Sequence, residues 1–244
     1  MTKYQIALVV ALVAPLATSG LAATSRQDAP TPEQRVAALK QSMQDSQARL
    51  RKYEWIETTI ISLKGEEKAR KQQRCYYGAD GKVQKVPIGE APPPQQAQRG
   101  GRRGGGRVKE AIVENKKSDM QEYMERAAAL IHQYVPPSPA QIQKVKDAGK
   151  LAIKPMDQGQ VRLELNDYLQ AGDRLAVDVN AAANSLAGLS VSTYLDKPDE
   201  VVALDVRLAS LDDGTSYTAE TTLDAKAKNI RVVIQNSGHR PLAP

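Results

Sequence analysis

The sequence predicts an α+β domain in which a mainly antiparallel sheet packs on an N-terminal helix and a central helical pair. Three observations predict it. A hydroxyl residue followed three positions later by Gln opens three separate segments, the pattern of a helix N-terminus. From residue 160 onward apolar and polar residues alternate with period two, as in strands with one dry and one wet face. The connections between these strands are short and rich in turn residues, which suits an antiparallel meander.

The first segment of the chain reads as a leader. Lys3 gives a short basic start, Ile6 to Leu16 an apolar run, and Thr18 to Ala23 a stretch of small residues. That order is the pattern of a secretory signal peptide. Cleavage after Ala22, with Ala23 the alternative, makes residues 1–22 the leader and 23–30 a flexible mature N-terminus. Residues 31–244 then form a single domain. The apolar run is shorter than the roughly 20 residues of a spanning helix and contains Pro15. No Cys follows the cleavage region to accept a lipid, and no later stretch is long and apolar enough to span. The expected destination is the periplasm or the medium.

Thr31-Pro32-Glu33-Gln34 starts the first helix, which should run to about Lys52 with Val36, Leu39, Met43 and Leu50 inward. Strands follow at Tyr53–Lys64, Arg70–Tyr77 and Lys82–Ile88, the last two joined by Gly78-Ala79-Asp80-Gly81. Gly89 to Gly106 is Pro-rich, then Gln-rich, then Arg-Gly-rich. With almost no apolar side chains it cannot offset the entropy of ordering, so a disordered insertion at 89–106 is expected. Residues 107–117 fit helix and strand equally. Ser118-Asp119-Met120-Gln121 should open the second helix, which runs to about Tyr134 on a stripe of Met120, Tyr123, Met124, Ala127, Leu130, Ile131 and Tyr134. Pro136-Pro137 ends it. Ser138-Pro139-Ala140-Gln141 opens a short third helix that stops at Gly149. Five alternating strands then carry Val161–Leu165, Leu175–Val179, Leu189–Thr193, Val202–Leu208 and Thr215–Leu223, and a last one carries Ile230, Val232 and Ile234.

Charge and composition narrow the function. The formal net charge of +6 is local. Arg99, Arg102, Arg103, Arg107 and Lys109 against Glu90 give +4, Lys3 leaves with the leader, and about +1 remains for everything else. The basicity belongs to one loop, which makes nucleic acid an unlikely partner for an exported chain. That loop resembles the Arg-Gly boxes of RNA-binding proteins, and outside the cytoplasm the same charge suits an anionic envelope polymer or lipid phosphate. Cys75 is the single cysteine, so no internal disulfide exists, and burial beside Gln73 and Tyr77 is its expected state.

Catalytic patterns are missing. His132 and His239 are the two histidines, 107 residues apart, and no ligand spacing for a metal surrounds them. There is no nucleophile elbow and no phosphate loop. Asp196 to Glu200 and Asp212-Asp213-Gly214 read as acidic turns rather than calcium sites. Glu54 and Glu57 have no marked carboxylate partner for glycosidase chemistry. The sequence therefore predicts no enzyme, no cofactor and no metal. Tyr53, Trp55, Tyr76 and Tyr77 concentrate aromatics in the first strands, either as part of a core or as the wall of a binding cleft.

The order of leader, N-terminal helix, strands, helical pair and a long run of antiparallel strands resembles the LolA/LolB-type periplasmic lipoprotein carriers. The segments Gln73–Lys82 and Ala225–Ile230 also read like an uncharacterised exported family. The LolA/LolB resemblance implies a strongly curved, incomplete barrel wrapped around helices that shields the acyl chain of a lipid or lipoprotein. On that expectation Trp55, Val177, Val179, Val191 and Val206 would line the concave face, with the helices as a lid. The alternative is an envelope interaction or structural protein that uses residues 99–107.

Overall fold

The computed structural model describes residues 32–89 and 106–242. Its elements in order are α1 (Pro32–Leu50), β1 (Tyr53–Leu63), β2 (Glu66–Tyr77), β3 (Val83–Pro87), α2 (Gly106–Ile131), α3 (Pro139–Asp147), β4 (Leu151–Pro155), β5 (Gln160–Asn166), β6 (Arg174–Asn180), β7 (Ser185–Tyr194), β8 (Val201–Ser210), β9 (Ser216–Ala225) and β10 (Ile230–Pro241). The ten strands form one curved, unclosed sheet in the order β3-β2-β1-β10-β9-β8-β7-β6-β5-β4. Every neighbouring pair is antiparallel. The α+β class and the mainly antiparallel sheet are as the sequence predicts.

Alternation decides which face is dry. Leu175 and Val177 of β6, Val191 of β7 and Val202 and Leu204 of β8 are buried together with Ala127, Ile131 and Tyr134 of the second helical segment. The opposite face carries cross-strand ion pairs, among them Arg162 with Asp178 at 2.7 Å and Lys154 with Glu164 at 2.5 Å. A smaller cluster joins Tyr123 of α2 to Ala225 and Ile230, the residues flanking the β9–β10 turn.

Three bulges bend the sheet where it matters below. Asp178 pairs with Gly188 and Val179 with Leu186, which leaves Ala187 as an extra residue in β7. Arg207 pairs with Glu220 and Leu208 with Thr218, which leaves Ala219 extra in β9. Trp55 of β1 stands opposite both Gly238 and His239, because Glu54 pairs with Arg240 and Ile56 with Ser237. Gly238 takes φ +60, the left-handed conformation that a residue with a Cβ rarely adopts. Each extra residue kinks its strand and increases the local twist.

Several boundaries differ from the sequence reading. β2 starts at Glu66, not Arg70, because Lys64 (φ 54) and Gly65 (φ 82) form a two-residue left-handed turn that pairs the strands at once. Glu66 to Gln72 are exposed, so no apolar alternation marks the extension. β4 was not expected; it is a short edge strand in which Leu151 and Ile153 pair with Leu165 and Leu163 of β5. α2 begins at Gly106, so Ser118 is an interior residue and not a cap. No Pro or Gly interrupts residues 107–131, and the ambiguous 107–117 segment is helical. The helix ends at Ile131, and Tyr134 is held by a turn to Ile131 O. Ser138 has extended dihedrals at the start of α3 but makes no side-chain cap, and Gln141 bonds the backbone of Tyr168 instead of reaching back. Gly149 adopts φ +70 just past α3, as its position predicts. Thr31, the leader and residues 90–105 of the insertion lie outside the described residues, and Gly106 opens α2. No helix of the described residues is long and apolar enough to cross a membrane.

Candidate functional site

The candidate site is a cleft of about 400 Å³ between α1 and the dry face of β7, β8 and β9. Its volume is within the range of ligand pockets, roughly 300–1,000 Å³. The floor is Leu186 and Leu189 of β7 with Val206 and Leu208 of β8. Leu186 and Leu189 are three apart and would face opposite ways in a regular strand. The extra residue Ala187 puts both on the floor. The bulge at Ala219 does the same for Thr218 and Thr221 of β9. The lid is α1, which contributes Met43, Ser46 and Leu50 with Gln44 and Gln47 beside them.

Ser46 is the buried polar residue of a lining that also holds Lys40, Gln44, Gln47, Ser216, Thr218 and Thr221. It is 3 % exposed, and its Oγ has no hydrogen-bond partner among the described residues. A helical Ser normally satisfies its hydroxyl from the carbonyl one turn earlier. Leaving it unpaired costs about 1–3 kcal/mol.

One end of the cleft is aromatic. Tyr77 and Tyr217 line it. Behind them His239 lies 4.0 Å from the Tyr217 ring centroid and stacks on Trp55 at 5.9 Å with an interplanar angle of 14°. Trp55 also meets Tyr77 at 5.7 Å, and its Nε1 donates to Asn236 Oδ1 at 3.0 Å. The bulge at Gly238 is what turns His239 onto Trp55. Burial among rings pushes the His239 imidazole below its usual pKa, so it is held toward the neutral form.

The five residues expected on the concave face are distributed between two environments. Val206 lines the cleft. Val177 and Val191, 3 % and 2 % exposed, are inside the filled core, and Val179 packs against that core. Trp55 forms the layer behind the aromatic end. Arg99, Arg102 and Arg103 lie outside the described residues, and Arg107 falls in the first turn of α2. Ser46, Tyr217 and Leu186 were missed. The signal for Met43 and Leu50 was present in the helical stripe, but nothing in the sequence aims Ser46 at a cleft.

The alternatives for chemistry are occupied by structural pairings. Glu57 is bound by Lys85 Nζ at 2.6 and 2.7 Å, and Glu54 pairs with Arg240 and Arg74. Asp213 accepts from Thr215 N at 2.9 Å and Tyr53 OH at 2.8 Å, which is turn chemistry. Asp196 pairs with Arg126 at 2.6 Å. Cys75 is fully buried, and desolvation pushes its thiol pKa up, away from a reactive thiolate. Among the described residues no group of His, Cys, Asp and Glu is arranged to hold a metal. A second recess, about 550 Å³ on the wet face over Gly188, is lined by Arg162, Asp178, Asp205, Arg207 and Glu220. There Arg162 pairs with Asp178 at 2.7 Å and Arg207 with Glu220 at 3.7 Å.

No family model and no curated protein matches the chain. Two solved structures are similar in layout. A DUF1329 family protein from Desulfovibrio piger is 14 % identical with a TM-score of 0.38, over 84 % of this chain and 92 % of that one. A LolA superfamily protein from Nitrosomonas europaea is 8 % identical with a TM-score of 0.33, over 83 % of this chain and 94 % of that one.

Proposed function

We propose that this is a non-enzymatic exported protein that binds an acyl chain, from a lipid or a lipoprotein, in the cleft between α1 and the dry face of the sheet. The observation that carries the reading is the lining. Leu186, Leu189, Val206 and Leu208 make an apolar floor continuous with the core, Met43 and Leu50 make an apolar lid, and a cleft is left between them. Apolar surface left in water favours an apolar occupant at roughly 25 cal/mol per Å² buried. The leader-like residues 1–22 support an envelope location.

Trp55 is the one tryptophan, one ring contact from the cleft through Tyr77, so its emission reports on occupancy. Titration with a dodecanoyl lipid should shift that emission saturably. Val206→Phe fills the floor and should weaken binding at least about tenfold while circular dichroism shows the same fold. Unchanged affinity in Val206→Phe, or no saturable shift in the parent, contradicts the proposal.

A further inference from the structure

Resting on the acyl-chain reading, we infer that Ser46 is a specificity residue: its hydroxyl selects an acyl group, with a carbonyl to bond, over a bare hydrocarbon. Ser46 sits in the last two turns of the lid helix, between Met43 and Leu50, and lines the cleft together with Leu189 and Val206. It is 3 % exposed, and its Oγ meets no partner from α1, the floor or any other described element. A site chosen only for hydrocarbon gains nothing from a hydroxyl at that place. Ala would pack as well and would leave no donor unpaired. The hydroxyl offers one hydrogen to an acceptor. An ester, amide or carboxyl oxygen of an acyl group supplies that acceptor, and an alkane does not. Selection by an unpaired buried polar group is strong, since the wrong ligand leaves the group unsatisfied.

The account makes Ser46 costly to the empty protein and useful to the filled one, which a merely structural serine would not be. The test compares the mature chain with its Ser46→Ala and Ser46→Thr variants. Each is titrated with methyl dodecanoate and with dodecane, following Trp55 emission, and each is melted without ligand. Ser46→Ala should weaken methyl dodecanoate about tenfold. It should leave dodecane unchanged or tighter and should not lower the melting temperature of the empty protein. Ser46→Thr, which keeps the hydroxyl, should retain the preference for the ester. If both ligands bind and Ser46→Ala weakens neither, or both equally, the role of Ser46 is overturned while the acyl-chain reading stands. A marked fall in melting temperature in Ser46→Ala also overturns it, because the hydroxyl would then be structural. If neither ligand binds the parent, the acyl-chain reading itself falls.

Discussion

Asp173 shows how much of the interior depends on single polar residues. Its carboxylate is buried and accepts from Tyr168 N at 2.5 Å, Leu169 N at 3.0 Å, Gln170 N at 2.9 Å and Tyr134 OH at 2.5 Å. Tyr134 OH also meets Thr193 Oγ1 at 2.8 Å. This network ties the residue after α2 to the β5–β6 loop and to β7. Burial, then the bond to Asp173, raises the Tyr134 pKa far above that of a free phenol. Asp173→Asn keeps the shape, removes the charge and turns an amide donor toward other donors. It should cost about 3 kcal/mol in urea unfolding, and a loss under about 0.5 kcal/mol contradicts the network's role. His239 gives a pH signature. Its folded pKa is depressed by burial below the 6.5 of the unfolded chain. The unfolded chain therefore takes up a proton that the fold resists, and stability falls as pH drops below about 6.5. The depressed carboxylates of Glu67, Glu164, Asp167 and Asp213 act with the same sign but only below about pH 4.5. His239→Phe should flatten the urea midpoint between about pH 7 and pH 5, leaving the acid limb. An unchanged slope excludes His239 as its source.

At the scale of elements, the cleft depends on how firmly α1 is held. Among its described side chains only Leu39 and Ser46 are buried. It is fastened at its C-terminal end, where Arg49 donates to Thr215 Oγ1 at 3.1 Å and Gly214 O at 3.4 Å. Tyr53, just beyond, donates to Asp213 of the same turn. A helix held at one end by a few polar bonds opens locally at low cost. Backbone amides of α1 should exchange with deuterium faster than those of β6 to β8, and Arg49→Ala should accelerate α1 without changing those strands. Equal protection in helix and strands contradicts a lid. The alternating segments of β5 to β8 and the first half of β10 were legible in the sequence because apolar and polar residues trade places there, whereas β10 beyond Ile234 was not, since residues 235–241 carry no apolar alternation. β4 and the first half of β2 were not, since an edge strand and an exposed strand have no such contrast. The early start of α2 was hidden by Ser118, whose cap signature is real as chemistry but idle inside a continuous helix. The cleft was legible only in part. Val206 alternates with its neighbours, whereas Leu186 reaches the floor through a bulge that alternation cannot foresee, and Ser46 needs the placement of α1.

At the scale of the molecule, the sheet sorts its two faces between packing and solvent. The filled core lies where α2, α3 and the following turn cover β5 to β8. The cleft lies between α1 and β7 to β9, on the same dry face and continuous with that core, so the face is filled in one place and has room for a guest in the other. The outer strands are guarded against edge pairing by Lys85 and Pro87 on β3 and by Lys154 and Pro155 on β4. The central claim is that the open part holds an acyl chain. Native mass spectrometry of the protein purified from its own cells, without detergent exchange, tests it most directly. The account predicts one bound lipid mass per chain in the parent protein and its loss in Val206→Phe. A parent protein that carries only its own mass, and still does so after incubation with a dodecanoyl lipid, would contradict it.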